Sequence, residues 1–155
     1  MKRFFLALAV YFISLNSLYA LIEVDITRGN LDPLPIAVSP LHVDIKSDIR
    51  SVEHEGIRVK ELGNNISAVI EKNFRSTGLF NPLNKDAFVQ KPDIAHLKPR
   101  FEDWRLITAQ ALVTGKILIK DEKLKVEFRL WDVAANKEMI ALAFTTTPSN
   151  WRRVA

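Results

Sequence analysis

The chain has 155 residues, 48% hydrophobic and 26% charged, with 22 basic against 18 acidic side chains and no cysteine. That balance describes a globular protein rather than a disordered one. The missing cysteines exclude a disulfide framework, a catalytic thiolate and any thiolate metal site. The formal charge of +4 is modest and interleaved with acids, as in Lys120-Asp121-Glu122-Lys123, so the one-sided basic footprint of a nucleic-acid binder is missing.

Lys2 and Arg3 open the chain, an uncharged apolar run follows from Phe4 to Ile13, and Ser14, Asn16, Ser17 and the small Ala20 come next. Positive end, apolar centre and small residue, in that order, predict a signal peptide over residues 1–20, cut after Ala20 so that Leu21 begins the mature protein. The competing reading is an uncleaved anchor. It has to extend the stretch to Ile22 through three polar residues to reach the roughly 20 residues of a spanning helix. No cysteine follows the apolar core, so lipid modification there is excluded. Losing Lys2 and Arg3 lowers the net charge by two, to an ordinary surface balance.

In the mature chain, Ile22, Val24 and Ile26 alternate with Glu23, Asp25 and Thr27, the period of a strand with one wet face. Gly29-Asn30 and Asp32-Pro33 force a turn. Residues 35–40 form a short apolar run bracketed by prolines and read as a second strand. The polar stretch 44–58 reads as a loop leading into a helix over residues 60–77. There Leu62, Ile66, Val69, Ile70 and Phe74 share a face, and Gly78 stands where a left-handed cap belongs.

Residues 79–83 read as an apolar pair beside the turn-forming Asn81-Pro82, and residues 84–100 as a wandering loop. A short helix is expected over 101–108, with Glu102 and Asp103 near its positive end. Runs at 111–119, 124–131 and 140–144 are strands with short connections, hence an antiparallel meander. Ser149 is expected to cap a helix opening at Asn150 and cut short at Ala155. The fold class is therefore α/β: one small domain over residues 21–155, a mixed sheet of about five strands with helices packed on it.

Chemistry-bearing groupings are scarce. His42, His54 and His96 lack metal-ligand spacing. Glu53 with Glu55, and Glu102 with Asp103, are neighbours in sequence, which does not make a catalytic pair. No glycine-rich phosphate loop or nucleophile elbow occurs. Trp104, Trp131 and Trp151 are too far apart in sequence to read as one stacking platform. No catalytic, cofactor-binding or metal residue is assigned, and the expectation is a protein that is not an enzyme, uses no cofactor and takes no small-molecule substrate or nucleic acid.

Four stretches taken together give a more specific reading: Ile22-Glu-Val-Asp-Ile-Thr-Arg-Gly, Pro35-Ile-Ala-Val-Ser-Pro, Phe74-Arg-Ser-Thr-Gly-Leu-Phe-Asn-Pro-Leu and Trp151-Arg-Arg-Val-Ala. In order and spacing they resemble the N-terminal domain of the TolB family, periplasmic components of the Tol–Pal cell-envelope system. The resemblance implies a periplasmic interaction module serving envelope integrity, cell division, protein transport and colicin import. It implies that the first mature residues bind the inner-membrane protein TolA. Mapped residue by residue, that segment is Leu21, Ile22, Glu23, Val24, Asp25, Ile26, Thr27, Arg28, Gly29, Asn30, Leu31 and Asp32. The alternative is that it is a permanently paired strand of its own domain. The family's contact with the lipoprotein Pal belongs to a β-propeller that these 155 residues do not contain, so Pal is a partner only of a protein that carries it. A second class of function, an exported small-molecule-binding α/β domain or enzyme, requires a concave pocket with convergent polar groups.

Overall fold

In the computed structural model the described residues are 32–44, 58–120 and 123–155. The expected signal peptide, the strand expected at 22–26 and most of the polar stretch after residue 44 lie outside them. Residues 32–155 belong to one compact unit. Along it run β1 (Leu34–Val38), β2 (His42–Val43), α1 (Val59–Thr77), β3 (Phe80–Pro82), α2 (Pro92–Ala95), α3 (Phe101–Leu106), β4 (Ala111–Lys120), β5 (Lys123–Asp132) and β6 (Lys137–Thr146). Two 3₁₀ segments, Lys85–Ala87 and Pro148–Val154, complete it.

The strands form a single mixed sheet of six, ordered β3-β1-β4-β5-β6, with β2 also beside β4. β1 is parallel to both β3 and β4, while β4, β5 and β6 form the expected antiparallel meander. Two features departed from the sequence reading here. Residues 80–82 are not merely a turn: they are an edge strand, where Pro82 is tolerated because an edge leaves one side of the backbone unpaired. The stretch 84–100 is not all loop. Asn84 accepts from the Asp86 N–H and starts a 3₁₀ turn, and Pro92 sits in the first turn of α2.

Strand alternation sorts the core to two faces. Ala111, Val113, Ile117 and Ile119 of β4, with Leu124, Val126, Phe128 and Leu130 of β5, meet α1 through Leu62, Ile66, Ile70 and Phe74. α1 ends as its sequence predicts: Gly78 has φ 69° and its N–H donates to the Arg75 carbonyl. On the opposite face Ala37, Leu112 and Val133 pack with Trp104 of α3 and Ala95 of α2. Gln90 staples that layer. Its Oε1 accepts from the Arg100 N–H at 2.8 Å and from Trp104 Nε1 at 3.1 Å, and its Nε2 donates to the Lys98 carbonyl at 3.1 Å.

β1 and β2 are one broken strand lying along β4. Val38 pairs with Val113 and His42 with Lys116, so three residues face two and the extra one makes a bulge. Pro40 has no N–H to give the ladder, and the Leu41 N–H turns away to the Gly63 carbonyl of α1 at 3.2 Å. The helix comes so close there that a side chain at position 63 would collide with the Leu41 carbonyl.

The C-terminal segment also differs from expectation. Residues 148–154 are two short 3₁₀ turns broken at Asn150 rather than an α-helix, the cap position is Thr147 rather than Ser149, and Pro148 leads the first turn. Trp151 and Val154 pack on the α1 side of the sheet.

Candidate protein-interaction surface

Of the twelve residues Leu21–Asp32, eleven lie outside the described residues; Asp32 is exposed, just before β1. The geometry of that expected contact is therefore not on view, and the surfaces on view are those of the sheet and its helices.

One is the far edge of the sheet. β6 follows β5 in strand order and has no neighbour beyond it among the described strands. Ile140, Leu142 and Phe144 are in register with Leu130, Phe128 and Val126, so they stand on the face that α1 covers. Yet they are 52%, 49% and 43% exposed, since α1 packs over β1, β4 and β5 and none of the three belongs to a buried cluster among the described residues. Phe144 meets Phe128 edge-on, with ring centroids 6.1 Å apart. That 140–144 is a strand was legible in the sequence; its exposure was not, since an apolar run does not say what lies on each of its faces.

The opposite face of the same strands is charged. Lys125 Nζ lies 2.8 Å from one oxygen of Glu127 and Lys116 Nζ 3.4 Å from the other. The hydrogen bond from Lys125 is the main cause that holds the Glu127 carboxyl below its ordinary value of 4.5. Arg129 Nε approaches Glu138 at 3.8 Å. Next to them His96 stacks on His42, two of the histidines that looked scattered in sequence. Burial is the main cause that lowers His96 below 6.5, with the charges of His42, Lys116 and Arg129 adding to it and the Pro92 carbonyl opposing it.

An open groove of about 610 Å³ runs between the β1–β2 bulge, α1 and the start of α2, its apolar lining from Pro40, Leu41, Val43, Val59 and Pro92 and its polar lining from His42, Asn64, Lys91 and Asp93. Among the described residues no cluster of three or more His, Asp or Glu side chains is placed to hold a metal ion.

Comparison with known proteins agrees with this architecture. Residues 22–139 match the family model described as the TolB amino-terminal domain. The Tol-Pal system protein TolB of Pelagibacter ubique is 67% identical over 136 residues, which is 88% of this chain and 30% of that relative. The chain thus spans less than a third of the length of that relative. Among solved structures, TolB from Acinetobacter baumannii superposes with a TM-score of 0.58 at 16% identity, covering 80% of this chain and 26% of that one. The LpoB C-terminal domain from Escherichia coli gives 0.52 at 8% identity, covering 77% of this chain and 86% of that one. Both structures speak to the fold alone. The family match, over most of the chain, settles the lineage: this chain belongs to the TolB family, as its amino-terminal domain.

Proposed function

We propose that the chain is a non-catalytic interaction module of a Tol–Pal envelope system, exported to the periplasm by residues 1–20, and that Leu21–Asp32 takes hold of a TolA-like inner-membrane protein. The observation that carries the reading is the family match, whose matched stretch includes every one of those positions but Leu21. The physics is compatible. An extended segment near a mature chain end can add to another protein's sheet edge, with main-chain hydrogen bonds giving affinity and alternate side chains giving specificity. Here Ile22, Val24 and Ile26 are the apolar set and Glu23, Asp25 and Thr27 the wet one. Roles in envelope integrity, division and colicin import belong to the longer protein, and contact with Pal to its propeller.

Titration calorimetry against the periplasmic part of TolA tests the segment. Ile26→Asp places a charge on the buried set and weakens binding by about tenfold or more. Glu23→Ala, on the wet side, changes it little. Equal effects from the two reject the alternation as the recognition element.

The uncovered stripe of β6 supports a related proposal. Ile140, Leu142 and Phe144 lie on the same side of the sheet as the 3₁₀ segment that carries the chain to Ala155. In a longer protein the residues following Ala155 continue over that face as a helix and cover them.

A further inference from the structure

His42 belongs to β2 and His96 closes α2, yet their rings stack with centroids 4.4 Å apart and planes 4° from parallel. The placement has a traceable cause. Without the extra residue at the Pro40 bulge, position 42 would pair with Ile117 and face α1. The bulge shifts it to Lys116, on the opposite face, where α2 lies. On the α2 side, His96 Nδ1 donates to the Pro92 carbonyl at 2.9 Å, which fixes the ring plane and leaves Nε2 as the basic nitrogen.

α2 has few other moorings. It is four residues long, and of its own apolar side chains Ala95 is buried while Ile94 is 52% exposed; Leu97, just after it, is 69% exposed. Charges of both signs surround the rings, and those that act on His96 are positive, Lys116 and Arg129 together with a protonated His42. Lys116 of β4 and Arg129 and Glu127 of β5 line the small cavity that His96 closes, and Glu127 is engaged by Lys125 and Lys116. Lys91 and Asp93 stand at the start of α2 beside the groove that His42 lines, and Asp44 follows β2.

We propose that the His42–His96 stack is a pH-sensitive clasp: with at most one proton shared between the rings it holds α2 against β2, and when both rings are protonated it releases α2 and widens the groove between them. Two cations in face-to-face contact repel, and the surrounding lysine and arginine side chains add to that repulsion. The lowered affinity of His96 for a proton agrees in sign. A base that binds its proton less readily when folded than when unfolded makes acid destabilising. The loss begins as pH falls through the unfolded value near 6.5 and grows until the lower folded value is passed.

Amide hydrogen exchange on the full chain at about pH 7.5 and about pH 5.5, corrected for intrinsic rates, reads α2 directly through the His96 and Lys98 amides, which donate to the Pro92 and Ile94 carbonyls. Acidification is expected to speed their corrected exchange about tenfold, with the α1 amides unchanged. His42→Phe keeps a ring in the stack but cannot take a proton, so only the part of the acid response that comes from burying His96 is expected to remain, and the speeding of α2 exchange is expected to shrink clearly. Equal protection of native α2 at both pH values overturns the clasp, as does an undiminished response in His42→Phe. Should that variant fail to fold, NMR titration of the native rings decides. Ring titrations in which protonating one histidine shifts the other support the clasp, and two independent titrations overturn it.

Discussion

Thr108 sits at φ 62°, a left-handed conformation that crowds a β-branched side chain. It is there because α3 ends in a two-bond cap, the Ala109 N–H donating to the Trp104 carbonyl at 3.1 Å and the Thr108 N–H to the Arg105 carbonyl at 2.9 Å. Glycine suits that position better. Thr108→Gly is expected to stabilise by about 1 kcal/mol, the relieved strain exceeding the added unfolded-state freedom, as denaturant midpoints will show. Gln90 carries the opposite weight. Gln90→Leu strips partners from the Arg100 N–H, the Trp104 indole N–H and the Lys98 carbonyl at once. A loss of roughly 3 kcal/mol in chemical denaturation is expected, because unpaired buried groups cost more than their bonds gave.

Glu127 adds a separate acid response. Its carboxyl binds its proton less readily when folded, so its contribution is present above the unfolded value near 4.5 and lost as pH falls through the lower folded value. A stability profile should therefore decline in two steps on acidification, first with His96 and then with Glu127. Glu127→Gln is expected to flatten the second step alone. At this scale the sequence announced some features and hid others. Gly78 was readable as a cap because its place follows from the helix before it. The histidine stack was not, because it depends on a one-residue bulge and on the register of β2 against β4.

The elements that were legible are those with enough turns or alternations to show a period. α1 repeats its apolar face through Leu62, Ile66, Ile70 and Phe74, β5 alternates from Leu124 to Leu130, and β4 is a long, largely apolar run. β3 and α2 were not, since three and four residues carry no period and owe their form to neighbours. The final helical segment was placed one turn signal too late, because Pro148 takes the first-turn position that Ser149 was expected to precede as a cap. β6 is where element and environment part: its pattern is that of a covered strand, while its apolar residues are open. Extending the chain past Ala155 through one further helix is expected to raise the thermal midpoint, each 100 Å² of covered apolar surface contributing about 2.5 kcal/mol. An unchanged midpoint means that nothing downstream lies on β6.

At the scale of the whole molecule, a mixed sheet with helical elements on both faces makes a stable platform, and the fold says nothing by itself about what the platform holds. The family match names the lineage, and the proposed interaction rests on the segment Leu21–Asp32. Its apolar–acidic alternation was plain in the sequence, but alternation fits equally a strand lent to a partner and a strand kept at home. Deleting residues 21–32 separates these. The most direct measurement is calorimetric titration of that deletion with the periplasmic part of TolA, alongside its circular dichroism and thermal melt. The account predicts lost binding with the spectrum and a cooperative melt retained. Binding that survives the deletion places recognition elsewhere on the domain, and a domain that unfolds makes the segment one of its own core strands; either result contradicts the account.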